Sequence, residues 1–258
     1  MISRIKNFGA LCGTLAVFTI GLMLPVTLQA AEFNDVQRKE MGEIVRQYLI
    51  ENPEVLRDAF LALERKEARA KADGAKTAIK ELAPDIFRAD GDLVIGNPVG
   101  DVTMVELFDY NCGFCKRSLP DILKLVESDK NLKFVIKEFP ILGPGSLVAA
   151  RAAIASRAQG KYWEFHSALL KKRGSVNEAG VMKVAEKLGL DIAKLKKDMN
   201  SDEITAILAR NHRVAQALNI NGTPAFIVGE TIFPGAVGYE KLAEAVAKVR
   251  AKGGCTVC

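Results

Sequence analysis

Cys112, Gly113, Phe114 and Cys115 place two thiols three positions apart, a spacing that closes a small disulfide ring when both lie on the first turn of a helix. The residues before them, Val102 to Phe108, form an apolar, β-branched run that reads as a buried strand. Asp109, Tyr110 and Asn111 leave that strand and can open a helix. From Gly113 to Val126 the apolar residues Phe114, Leu119, Ile122, Leu123 and Val126 recur with a helical period. The thiol pair therefore sits where a helix starts, directly after a strand. Unpaired backbone N–H groups and the helix dipole favour negative charge there, and a thiolate is such a charge. Thiol–disulfide exchange is the chemistry this arrangement supports.

A C-x-x-C can also be half of a zinc site, which wants four ligands. Beyond an N-terminal leader, the other cysteines are Cys255 and Cys258, a second C-x-x-C in the last four residues. His166 and His212 have no metal-ligand spacing to either pair. A C-x-x-C between a strand and a helix reads instead as a thioredoxin-type redox motif. No metal and no cofactor is expected at Cys112 and Cys115. The competing function class is an exported copper or zinc binding protein that uses the four thiolates without turnover.

A chain of 258 residues, 49% hydrophobic and 26% charged, has ordinary globular composition. Residues 1–30 read as a signal peptide. Arg4 and Lys6 form a positive start, no charge follows until Glu32, and Leu28-Gln-Ala30 offers small residues for cleavage. The alternative is an uncleaved membrane anchor, since the uncharged run is long enough to span a bilayer; Pro25 and the Ala-Ala pair favour cleavage. Cleavage removes two of 36 basic residues and leaves 34 against 31 acidic ones. That balance gives no reason to invoke nucleic acid. Export to the periplasm puts the cysteines in an oxidising compartment.

Residues 31–82 read as a small all-helical module and linker. Val36, Met41, Ile44, Val45, Tyr48 and Leu49 form one apolar stripe, Asn52-Pro53 restarts a helix, and Val55 to Leu63 continue the apolar face. From Glu64 the helix becomes polar on nearly every side. Such a stripe buries little alone, so residues 33–75 are expected to form a homo-oligomer. Residues 83–251 read as the catalytic domain. Strands are expected at 93–95, 102–108 and 132–139, and a hairpin at 225–228 and 231–233 about Gly229-Glu230. A helical block fills 146–219, and 239–249 is a closing amphipathic helix. The order β-β-α-β, helices, β-β-α is α/β, a thioredoxin fold with an inserted helical subdomain. Residues 252–258, led by Gly253-Gly254, read as a flexible tail, which carries an auxiliary dithiol, a soft-metal site or an inert disulfide.

Glu106 and Lys137 are each a charge inside an otherwise apolar strand, and a buried charge requires a partner.

Phe108-Asp-Tyr-Asn-Cys-Gly-Phe-Cys115, Asn221-Gly-Thr-Pro-Ala225 and the length of the helical insert resemble the DsbA family of exported thiol–disulfide oxidoreductases. The leading module, with Tyr48-Leu-Ile-Glu-Asn-Pro-Glu-Val-Leu56, is similar to its long subgroup, which includes ScsC-like proteins and the Coxiella outer-membrane immunogen. The resemblance implies that Cys112 is the exposed nucleophile, Cys115 the resolving thiol, and Pro224, after Thr223, a cis proline beside the sulfur pair. It also implies that Glu106 and Lys137 pair beneath the active site, tuning the thiolate and moving a proton. The implied partners are exported proteins carrying thiols or disulfides, and a membrane redox partner that recycles the site. The Gly-Phe dipeptide lacks the imidazole of strongly oxidising members and is closer to the Gly-Tyr of exported isomerases. The expected function is disulfide isomerase or reductase, with a DsbA-like dithiol oxidase as the alternative.

Overall fold

The computed structural model describes residues 33–258; the signal peptide expected at residues 1–30 lies outside the described residues. Helix α1 (Asp35–Glu51) opens on a capping box, in which the Asn34 side chain accepts from the Gln37 N–H and the Gln37 side chain accepts from the Asn34 N–H. Asn52 closes α1 instead of opening the next helix. Its backbone N–H and its side-chain amide both donate to the Tyr48 carbonyl at 2.9 Å. Helix α2 (Glu54–Glu81) comes after Pro53. No residue of α1 is buried, and Val36, Ile44, Val45, Tyr48 and Phe60 are all exposed. Residues up to Phe60 form one compact unit and residues from Leu61 onward form another.

The second unit begins inside α2, not after residue 82, because the end of that helix supplies core. Ile79 is fully buried and packs with Ala83, Ile86 and Phe87 of the short helix α3 (Ala83–Phe87). A five-stranded sheet is built from β1 (Leu93–Gly96), β2 (Val102–Phe108), β3 (Leu132–Glu138), β4 (Ala225–Val228) and β5 (Thr231–Pro234), in the order β1-β3-β2-β4-β5. β2 and β3 are parallel, with Glu106 opposite Ile136 and Leu107 opposite Lys137; the other pairings are antiparallel. Between β2 and β3 runs α4 (Gly113–Ser128), the crossover that a parallel pair needs.

Every residue of β2 is buried, as its unbroken apolar run requires for a strand covered on both faces. Val102, Met104 and Phe108 join Phe134 and Ile136 on the face that packs against α4 and the closing helix α10 (Tyr239–Ala251). Val105, Leu107, Val135 and Ile227 face the other way, toward Ile79 and α3. The helical block between β3 and β4 comprises α5 (Pro144–Ser156), α6 (Tyr162–Lys171), α7 (Glu178–Lys187), α8 (Ile192–Asp198) and α9 (Asp202–Ala217). Its content and limits agree with the sequence reading, with α8 added between two expected helices. No helix among the described residues is long and apolar enough to cross a membrane.

The tail is not the free segment its glycines suggested. Cys255 and Cys258 form a disulfide, the Cys255 N–H donates to the Asp101 carbonyl at 3.2 Å, and Arg88 Nη1 donates to the Val257 carbonyl at 2.7 Å. Val257 and Cys258 pack on the core that holds Ile79. Gly253 and Gly254, both at positive φ, turn the chain back onto the start of β2, so here glycine permits docking and not mobility. Burial of Ile79 ties α2 to the sheet. Ile79→Ala is therefore expected to lower stability by about 2–5 kcal/mol, read from the midpoint of a urea melt.

Candidate active site

β2 delivers the chain to the site, and the Asp109 carboxylate at its end fixes the turn that leads to the thiols. Oδ1 accepts from the Asn111 N–H at 2.7 Å and from the Ser146 hydroxyl at 2.7 Å; Oδ2 accepts from the Ile141 and Leu142 N–H groups at 2.8 and 2.9 Å. Four donors on one buried carboxylate compensate its loss of water. Asn111 carries the tie further, donating to the Ser146 hydroxyl and the Val176 carbonyl and accepting from the Val176 N–H at 2.6 Å. Gly145 sits so close to that strand of contacts that a Cβ there would lie 2.4 Å from the Val176 carbonyl oxygen. The loop before the thiols is thereby bolted to the helical insert.

Cys112 is the N-cap of α4, and its Sγ accepts from the Cys115 N–H at 3.4 Å. The same sulfur lies 3.1 Å from the Thr223 carbonyl oxygen, to which the thiol donates. Both cysteines are free thiols. Cys112 retains 6% of its surface and Cys115 1%, so the nucleophile expected to be exposed is buried, though less completely than its partner. Burial, with the Glu106 carboxylate nearby, pushes the Cys115 thiol far up. The Thr223-Pro224 bond is cis, and the Pro224 carbonyl accepts from the Gly235 N–H at 2.8 Å. Beside Cys112, a cleft of about 800 Å³ is lined by Phe114, Thr223, Pro224, Ile220, Ile232 and Ala72. Phe114 is 57% exposed, with the Arg117 guanidinium 4.3 Å above its ring.

The expected pairing of Glu106 with Lys137 is not made. Parallel register sets Glu106 opposite Ile136, so Lys137, one position on, projects from the other face of the sheet. There its Nζ donates to the Asp85 carbonyl at 2.6 Å and to the Asp92 carboxylate, which Arg210 also reaches at 3.3 Å. Burial lowers the Lys137 pKa and raises that of Asp92, while each partner's charge opposes the shift. Glu106 stays on the α4 face, close enough to the sulfurs for its charge to act on Cys115. Burial, reinforced by Cys112, pushes its pKa up to about 8. Among the described residues no cation pairs with it.

Sequence reasoning missed the Asp109 and Asn111 ties, although two polar residues closing an apolar strand were a usable signal. It also missed a buried cluster behind the site. Tyr110 and Tyr162 both donate to Glu138 Oε1, at 2.8 and 3.1 Å, and the Tyr110 hydroxyl lies 3.2 Å from His166 Nδ1. Burial raises Glu138 well above the usual carboxylate range and holds His166 down to about 3, so the imidazole is neutral.

A family model, the DSBA-like thioredoxin domain, matches residues 103–247. The chain belongs to the DsbA-like thioredoxin family. A second model, the copper resistance protein ScsC N-terminal domain, matches residues 37–70 of this DsbA-like chain. The crystal structure of a thioredoxin-like oxidoreductase from Silicibacter pomeroyi DSS-3 is 46% identical, covers 65% of this chain and 97% of that one, and superposes with a TM-score of 0.64. A linker-deletion and N6K mutant of Proteus mirabilis ScsC is 26% identical, covers 87% of this chain and all of that one, and has a TM-score of 0.66. A curated relative, Na(+)/H(+) antiporter NhaA 3 of Salinispora tropica, is 28% identical over 208 residues, 78% of this chain. The chain spans only about a third of that relative's length (32%).

The two separated charges are expected to answer differently to titration and to mutation. Between pH 4.5, the usual carboxylate value, and about 8, the folded DsbA-like chain holds a proton on Glu106 that the unfolded chain has released. Raising the pH through that window must cost stability. Urea melts of the reduced protein at several pH values are expected to show this loss, and Glu106→Gln is expected to flatten it. Lys137→Ala leaves Asp92 buried with Arg210 alone and is expected to cost about 3 kcal/mol. Because Lys137 faces away from the sulfurs, stopped-flow exchange rates at Cys112 are expected to change less than twofold, or about 0.4 kcal/mol.

Proposed function

We propose that this chain is an exported thiol–disulfide oxidoreductase that isomerises or reduces disulfides in exported proteins. The observation that carries the reading is the placing of Cys112 Sγ. It caps α4, receives the Cys115 N–H, contacts the Thr223 carbonyl, and adjoins an apolar cleft able to hold an extended chain. In the reductive direction the Cys112 thiolate attacks a substrate disulfide, forming a mixed disulfide and expelling one substrate thiolate. Cys115 then attacks Cys112 Sγ, releases the second substrate thiol and leaves the Cys112–Cys115 disulfide. In isomerisation a substrate thiol resolves the mixed disulfide instead, and the enzyme ends as it began.

Resolution requires Cys115 to lose a proton that its burial makes hard to release. Glu106, whose charge reaches that sulfur, is the group placed to take it once its own proton has left, and in the reverse direction to return it. Pro224 and Thr223 form the wall against which a substrate segment would lie. A membrane redox partner would return the active site to its working state, and the leader read at residues 1–30 supports a periplasmic setting.

The isomerase preference rests on the module formed by residues 33–60. Its exposed apolar face, Val36 to Phe60, supports self-association, which would set several active sites around one misfolded substrate and raise their effective concentration. A scrambled-disulfide refolding assay tests this together with light scattering. Full-length protein is expected to be oligomeric and to restore native disulfides. Ile44→Asp with Val45→Asp is expected to lower the oligomeric state and to cut isomerisation about tenfold while dithiol oxidation persists. A monomeric full-length chain that oxidises dithiols and leaves scrambled substrate unrescued would establish the oxidase reading instead.

A further inference from the structure

Beyond the exchange chemistry of the Cys112 and Cys115 thiols lies a small-ring disulfide, Cys255–Cys258, that the active site does not use. It is a poor staple. The unfolded-chain entropy that a cross-link removes grows with the logarithm of the loop it closes, and this one closes only four residues. The tail is moreover held without it, by the Asp101 carbonyl on the Cys255 N–H, by Arg88 on the Val257 carbonyl, and by Val257 against the core. Nearby, Arg250 grips Asp101 and Asp129 at 2.7–3.1 Å and fixes the end of α10.

The two sulfurs are not equivalent. Both are half-buried, but Cys258 packs on the core with its Sγ toward the Thr103 carbonyl, whereas Cys255 is not part of that packing and adjoins the exposed Thr256. The segment Gly253-Gly-Cys-Thr-Val-Cys258 has no charged side chain, the character of a peptide that an apolar cleft accepts. The cleft beside Cys112 is of that kind. The tail docks at the start of β2, and Cys112 lies beyond its other end. Its seven residues, six steps of about 3.3 Å, set the two ends roughly 20 Å apart. Exchange within one docked chain is therefore blocked, and exchange between two copies is not.

We propose that Cys255–Cys258 is a second exchange centre, whose redox partner is the Cys112/Cys115 pair of another copy of this chain. This rests on the exchange activity proposed for Cys112. The Cys112 thiolate of one copy attacks Cys255 Sγ of the other, breaking the Cys255–Cys258 bond and releasing the Cys258 thiolate, which takes up a proton. Cys115, giving up its proton, attacks Cys112 Sγ and expels the Cys255 thiolate, which is protonated in turn. Two electrons pass: the first copy's dithiol becomes a disulfide, and the second copy's tail becomes a dithiol. The reverse steps reoxidise the tail.

The test mixes two full-length variants. One is Cys255→Ala/Cys258→Ala with its active site reduced; the other is Cys112→Ala/Cys115→Ala with its tail disulfide intact. Acid quenching, alkylation and peptide mass analysis track the thiols. Transfer to the tail is expected about tenfold or more faster than reduction of the same tail by glutathione at equal thiol concentration. With Cys115→Ala in the attacking copy, the trapped adduct is expected to join Cys112 to Cys255. In parallel, the reduced donor is given oxidised glutathione. A tail that stays oxidised, or is reduced no faster than by glutathione, while the donor consumes oxidised glutathione, overturns the second centre alone. A donor inert toward both overturns the Cys112 reading and this proposal with it.

Discussion

The interaction on which the site depends is the fourfold hydrogen bonding of the Asp109 carboxylate. A strand buried on both faces delivers the chain to its own end with no freedom left, and Asp109 converts that end into a fixed corner. Its donors come from three stretches: the turn to Asn111, the segment after β3, and the first turn of α5. The segment holding Cys112, the exit of the neighbouring strand and the helical insert are thus referred to one carboxylate. Asn111 adds the loop at Val176, so the insert positions the thiol-bearing helix as well as covering the sheet.

Buried charge is handled differently on the two faces of the same sheet. Beneath the outer face, Lys137, Asp92 and Arg210 satisfy one another, an arrangement that holds α9 and the chain before β1 to the strand. Beneath α4, no cation among the described residues pairs with Glu106, so burial is answered by retaining a proton. Tyr110, Tyr162 and Glu138 solve the same difficulty with phenol donors to a carboxyl whose pKa burial has raised. Only the Glu106 solution leaves a proton close to the sulfurs.

Much of this was readable from the chain. The run 102–108, the C-x-x-C after it and the helical period of Leu119 to Val126 dictated the strand, the motif and the helix, because local pattern and burial agree there. The family resemblance added Thr223-Pro224, whose neighbourhood to Cys112 is a long-range contact that no local spacing encodes. The Glu106 and Lys137 pairing failed for a related reason. Two charges in adjacent strands can be seen in sequence, but whether they share a face depends on register, and a one-residue offset sends them to opposite sides. The docked tail was misread because glycine codes equally for freedom and for a tight return; only Asp101, Arg88 and the core, distant in sequence, decide between them.

The two outer strands of the sheet, β1 and β5, are four residues long, and β5 ends in Pro234, which has no N–H to offer. An extended polypeptide arriving at either margin would find little ladder to join. Were the chain to act on unfolded proteins, as proposed, it would face capture by its own clients, recruited strand by strand into aggregates. Short margins would turn such clients away from backbone pairing and leave the apolar cleft beside Cys112 as the place to dwell, where contact would be made with side chains and sulfur and could be undone.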